Sequence, residues 1–241
     1  MKRYILGALT LFALFGVVFA PAGLLERVVE TSQRAHLTGT RGTIWSGQAR
    51  LWLGSEALGE LRWQFQPAGL LALKLAYHWQ LSEAGSALQG AAALSMQELQ
   101  LQAEGTVLSQ TINPYLRRYD INLAGTFTLA DLRVTTRAGN ISALQGDLKW
   151  DGGPVRYILS GRSSAAALPP LQARLALDDL RQPSALVSSV RDAMPLMVAT
   201  LGDNGFAKIG LTRGFTRLLD APWPGREPDH EVVIEVEEQI F

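Results

Sequence analysis

The chain has 241 residues, of which 22 are basic and 22 acidic, so its formal net charge is zero and it lacks the basic footprint by which a protein grips a nucleic-acid backbone. It contains no cysteine, which excludes disulfides, thiolate metal sites and cysteine nucleophiles together. The apolar fraction is ample for a sizeable core after the first segment.

That first segment is a basic tip, Lys2 and Arg3, followed by an uncharged and mostly apolar run from Tyr4 to Leu25 that ends at Glu26 and Arg27. As a helix the run spans about 33 Å, enough to cross a hydrocarbon core of about 30 Å. Val18-Phe19-Ala20 imitates a signal-peptidase site, but Pro21 would constrain the backbone just after it, and the run exceeds a secretory h-region. The reading is therefore a retained transmembrane helix at 4–25, with a cytoplasmic tip at 1–3, a juxtamembrane segment at 26–40 and a β-rich domain at 41–241. A three-residue tip stays inside most simply, because a long following domain is translocated largely regardless of its charge. Leu24 to His36 is expected to extend the helix outward.

Beyond it the apolar residues recur with period 2, the mark of half-buried strands. Leu61, Trp63 and Phe65 alternate with Arg62, Gln64 and Gln66. From Leu71 to Leu81 the apolar set Leu71, Leu73, Leu75, Tyr77, Trp79 and Leu81 opposes Lys74, His78 and Gln80. Further strands are predicted at Glu98–Glu104, Tyr119–Thr136, Ile141–Trp150, Val155–Gly161, Leu171–Asp178 and Glu231–Ile240. In the Tyr119 strand the phase slips between Leu129 and Leu132, which calls for a bulge or a tight turn. Turn chemistry lies at Gln66-Pro67-Ala68-Gly69, Ala138-Gly139-Asn140, Asp151-Gly152-Gly153-Pro154 and Ala221-Pro222-Trp223-Pro224-Gly225. A second helix is predicted over Ser184–Leu201, from the spacing of Leu186, Val190, Met194, Met197 and Leu201, with Pro195 kinking it. The fold expected is all-β: an elongated, curved antiparallel sheet or half-open barrel, with the transmembrane helix and one or two short helices. Gly90–Leu101 and Gly125–Val134 echo one another faintly, as strand-building constraints alone would produce.

No catalytic, cofactor-binding or metal-binding residue emerges. His36, His78 and His230 are scattered without metal-ligand spacing. Ser46 lacks the flanking glycines of a nucleophile elbow, and Gly39 and Gly42 are followed by no Lys-Ser or Lys-Thr of a phosphate loop. Asp178, Asp179 and the C-terminal carboxylates have no basic or metal-binding companions. Glu231, Glu235 and Glu237 mark a charged edge strand, which either blocks unwanted pairing or docks a partner strand. Trp45, Trp52, Trp63 and Trp79 crowd the first third and are read as core, with the lining of an apolar ligand groove as the alternative. Gly7, Ala8, Ala13 and Gly16 offer a weak helix-pairing stripe in a bilayer.

Gly42-Thr43-Ile44-Trp45-Ser46-Gly47, then Ala49, then Gly59-Glu60-Leu61-Arg62-Trp63 ahead of Pro67 and a leucine-rich strand, resembles the protein N component of bacterial type II secretion systems. Gly42, Trp45, Gly47, Gly59, Arg62 and Trp63 carry that resemblance. It implies an inner-membrane protein with its C-terminal domain in the periplasm, an accessory part of the machinery that moves folded proteins across the outer membrane. It implies no catalytic residues and no cofactor, and as partners the inner-membrane secretion platform and the outer-membrane secretin. A second likeness is to the AsmA-like bridge proteins, periplasmic sheets that hang from one helix and carry lipid in an apolar groove. The two readings differ in whether the concave face is apolar and continuous.

Overall fold

The computed structural model describes residues 20–24, 26, 35–159, 162–202, 204–221 and 223–239. Most of the 4–25 run lies outside them, as does most of the 26–40 segment. Among the described residues no helix is long and apolar enough to cross a membrane. The chain divides into two compact units, Met1–Glu83 and Ala84–Phe241.

The first unit carries β1 (Ala35–Gly42), β2 (Ser46–Leu53), β3 (Glu56–Gln66) and β4 (Leu75–Glu83), paired antiparallel in chain order. The predicted alternation sets its faces. Gly47, Trp63 and Trp79 lie across from one another on three strands, as do Ala49, Leu61 and Leu81. This apolar face is closed by the incoming chain: Ala22, Leu37, Ala49 and Trp63 form a buried cluster with Leu51, Leu61 and Tyr77 against it. Burial raises the pKa of the Tyr77 phenol, because a phenolate there would be poorly hydrated.

In the second unit β5 (Ser86–Leu94), β6 (Glu98–Leu108), β8 (Thr126–Arg137), β9 (Asn140–Trp150), β12 (Leu171–Leu177), β13 (Pro183–Ser189), β14 (Pro195–Leu201), β15 (Phe206–Thr212) and β16 (Val232–Gln239) follow one another in the main sheet. Two excursions leave it. Between β6 and β8 the chain makes helix α1 (Ser109–Leu116) and the short β7 (Asn122–Leu123); between β9 and β12 it makes β10 (Gly153–Leu159) and β11 (Arg162–Leu168). These build a small sheet in the order β11-β10-β7. Trp150, Val155, Ala166 and Leu168 form the core there, and Phe215, Leu218 and Leu219 of and beside helix α2 (Arg213–Leu218) pack on it. Thr212 caps α2 by accepting from the Phe215 N–H at 3.3 Å, as an N-cap threonine does. Among the described strands β1 pairs only with β2 and β16 only with β15, so the sheet is open, not closed into a barrel.

The phase slip in β8 is a bulge. Its register on β9 jumps between Ala130 and Arg133, and Asp131 sits at φ 51°. Opposite it, β6 shifts between Ala103 and Gly105, with Gly105 at φ 137°. The turn at Ala138-Gly139 joins β8 and β9 as expected.

Several expectations are corrected. Ser184–Leu201 is not a helix: it is β13 and β14 joined by a turn, with both backbones hydrogen-bonded into the sheet. Pro195 disfavours helical backbone at Met194, and Asp192 accepts from the Met194 N–H at 3.1 Å to hold the turn. The first helix does not reach His36, because Ala35 begins β1. The Leu71–Leu81 strand starts only at Leu75; Pro67–Ala72 is a 3-10 helix, since Pro67 fixes φ at its start. Tyr119–Thr136 is broken into a 3-10 turn, β7 and β8. Asp151-Gly152-Gly153-Pro154 launches an excursion, not a meander hairpin, since β9 pairs with β12. The faint echo is no duplicated unit, in keeping with strand-building constraints: Gly90–Leu101 crosses the β5–β6 hairpin, whereas Gly125–Val134 leads into a single strand.

Gly105 has no room for a side chain. A Cβ would stand 2.9 Å from Leu88 Cα, against backbone that cannot yield, at a φ that L-residues avoid. Gly105→Ala should destabilise the protein by about 3 kcal/mol, measured as a lowered urea midpoint by tryptophan fluorescence.

Candidate functional site

The six motif residues come together in the first unit. Gly42 ends β1 and Gly47 lies in β2, with Thr43-Ile44-Trp45 as the turn between them. Gly42 adopts φ 95°, and a Cβ there would come within 2.9 Å of Gly47 Cα. Gly47 is tighter still, since a Cβ would meet the Arg41 carbonyl at 2.5 Å and Trp63 Cζ2 at 2.6 Å. The motif therefore has a mechanical meaning: its second glycine leaves the space that the Trp63 ring fills. Trp63 is only 8% exposed, and its indole N–H donates to the Thr43 carbonyl at 3.1 Å, tying β3 to the turn. Trp45 meets Phe65 edge-on at 4.8 Å, and its carbonyl accepts from the Phe65 N–H at 2.6 Å. Gly59, at φ 129°, sits at a β2–β3 bulge with the Ser82 carbonyl 2.5 Å from where a Cβ would be. Arg62 points the other way and pairs with Glu60 at 2.7 Å.

The opposite face of this sheet is polar. Register sets Gln48, Arg62 and Gln80 in one cross-strand row and Ser46, Gln64 and His78 in the next, with Arg41 beside Gln48. With Gly42, Gly47 and Trp63 they line an open cleft of about 810 Å³. Alternation shows these residues as the wet face of their strands; it does not reveal that they line a cleft. Acyl chains need apolar walls, and beside the single Trp63 ring this lining offers amides, guanidinium groups and an imidazole. Of the tryptophans, Trp63 is core, Trp52 stacks on His36 at 5.9 Å, and Trp79 is half-buried with its indole N–H buried and unpartnered among the described residues.

The acidic edge lies in the second unit. Glu235 and Glu237 are exposed on β16, on one face of the strand, and the outer backbone of β16 takes no strand among the described residues. Lys208 Nζ is 3.0 Å from Glu235, both half-exposed, a pair of small energetic weight. Glu238 faces the other way and accepts from the Tyr119 hydroxyl at 3.3 Å. Glu231 departs from expectation. It precedes β16, and its backbone is used in the turn, donating to Pro228 and accepting from the Arg213 N–H, each at 3.0 Å. Among the described residues no group of three or more histidines and carboxylates stands ready for a metal ion.

Gly47→Ala should lower stability by about 2 kcal/mol, because the methyl group overpacks against Trp63. Trp63→Phe should cost a similar amount, about 2 kcal/mol, by orphaning the Thr43 carbonyl and leaving a void; urea unfolding of both variants checks this. No curated protein and no solved structure matches the chain. The model of the type II secretion system (T2SS) protein N family does match, over residues 33–210, a span that holds the whole glycine–tryptophan hairpin and ends inside β15. The chain belongs to the type II secretion system protein N family.

Proposed function

We propose that the protein is an accessory component of the type II secretion machinery, held in the inner membrane by the apolar run that begins at Tyr4, short of Ala20–Ala22, which pack into the first unit, with its N-terminus in the cytoplasm and its β-rich units in the periplasm. It acts by protein–protein contacts and not by catalysis, and it uses no cofactor. The family match carries this reading: the family is one of secretion components. The open β16 edge supports the mode of contact, since an unpaired strand accepts another by backbone hydrogen bonds while Glu235 and Glu237 select a basic or polar partner. The partners proposed are platform subunits and the secretin. The lipid-carrying reading finds little support in the cleft of the first unit, where Trp63 is the one large apolar side chain among polar ones.

Photocrosslinking in cells from Glu235 and Glu237, with Gln80 in the cleft as comparison, tests this. Adducts from the β16 positions to platform or secretin subunits are expected. Lipid adducts from Gln80 in the cleft, with no protein captured from β16, would contradict the proposal.

A further inference from the structure

The β3–β4 connection breaks the rule that the rest of the first unit obeys. Pro67-Ala68-Gly69-Leu70-Leu71-Ala72-Leu73-Lys74-Leu75 contains four leucines and one charged side chain. Leu71 is 93% exposed and Leu73 88%, with Leu70 and Leu75 each about half so. The exposure is built in. A Cβ on Gly69 would stand 2.7 Å from that of Ala76, so the 3-10 turn lies flat against the start of β4 and the leucines have no sheet left to cover. Leu73 closes the turn at φ 54°, donating to the Leu70 carbonyl at 3.0 Å. Glycine or asparagine takes that left-handed backbone at least cost, yet the position holds an exposed leucine.

Its position identifies what it meets. The Phe65 N–H donates to the Trp45 carbonyl, the Ile44 N–H to the Ala20 carbonyl at 3.0 Å, and the Ala22 N–H to the Gly42 carbonyl at 3.1 Å; Pro21 bridges Thr43. Ala20–Ala22, Thr43–Trp45 and Phe65–Pro67 therefore lie side by side at one end of the first unit, and the β2–β3 turn at Gly54-Ser55 is at the other. The uncharged run that begins at Tyr4 joins the fold at that same end. A protein-binding patch carries a polar rim around its apolar centre, whereas this loop has Lys74 alone.

We infer that the leucine loop 67–75 is a membrane-resting element, its side chains seated in the headgroup–acyl boundary of the bilayer that holds the apolar run ahead of Ala20. The inference rests on the membrane anchor of the proposed function. It fixes how the first unit stands on the membrane: β1–β2 turn and leucine loop down, Gly54-Ser55 away, and the polar cleft facing sideways into water. Anchor and loop are two attachments, and two restrict rotation where one does not.

The absence of native cysteine allows single labels to be read without background. Full-length Leu71→Cys, Leu73→Cys and Ser55→Cys, each carrying a nitroxide, are reconstituted into vesicles of phosphatidylethanolamine and phosphatidylglycerol, and accessibility to oxygen and to a water-soluble nickel chelate is measured. The Leu71 and Leu73 labels should lie about 5–10 Å into the interface, open to oxygen and shielded from nickel, while the Ser55 label is open to nickel. Nickel access at Leu71 equal to that at Ser55, in vesicles from which carbonate cannot extract the chain, overturns the inference and leaves the anchor standing. Extraction by carbonate would overturn the anchor and the inference with it. Shielding of the Leu71 label from both reagents overturns it too, by showing that a second copy of the chain covers the loop.

Discussion

Each unit of this protein is pinned by one tryptophan set against one glycine. Trp63 lies beside Gly47 and donates its indole N–H to the Thr43 carbonyl; Trp150 lies beside Gly125 and donates to the Ala124 carbonyl at 2.9 Å. In both cases a Cβ on the glycine would collide with the ring, at 2.6 Å from Trp63 Cζ2 and 2.9 Å from Trp150 Nε1. A sheet that is one layer deep buries few side chains completely, so a large ring with its only donor satisfied provides much of the available apolar burial. The same contact fixes a loop: the β1–β2 turn in the first unit and the β7–β8 connection in the second. Backbone ladders then extend the sheet from these fixed points.

The consequence for function is that recognition surfaces lie where the sheet runs out. The apolar face of the first unit is taken up by its own core, under Ala22 and Leu37, and the second unit covers Trp150 with its small sheet and α2. What remains is a polar cleft, an acidic edge strand and a leucine loop, each formed from backbone or side chains that the cores leave over. For a family of secretion components this division is apt, since edges and loops exchange partners more readily than packed faces.

The strand content and the faces were legible because alternation carries the burial requirement directly: Leu61, Trp63 and Phe65 turn inward, and Arg62 and Gln64 outward. The β8 bulge was legible because Ala130 and Asp131 between Leu129 and Leu132 add one residue to a pattern that has to stay in phase. Leu186, Val190, Met194, Met197 and Leu201 misled because their spacing fits a helix, while the sheet supplied hydrogen-bond partners on both sides of β13 and β14. The departure of β10 and β11 from the main sheet buries Val155 and Ala166 in a cluster against which Phe215 packs, an association across the chain that no local pattern records. Leu71 and Leu73 alternate as strand residues do; alternation says that they share a face, not that the face meets protein. At the site, the edge carboxylates Glu235 and Glu237 were readable from charge, and Glu231 was misplaced by the turn that Arg213 and Pro228 impose. The motif glycines were readable as tight positions, but the ring that makes Gly47 tight comes from 16 residues further along.

The most direct test of the account as a whole is removal of the protein from a cell that secretes folded proteins by this route, followed by assay of both the secreted substrate and the outer-membrane barrier. The account predicts that the substrate accumulates in the periplasm while the barrier still excludes detergents and large antibiotics. Normal secretion with a leaking barrier would contradict it and would move the protein into lipid handling.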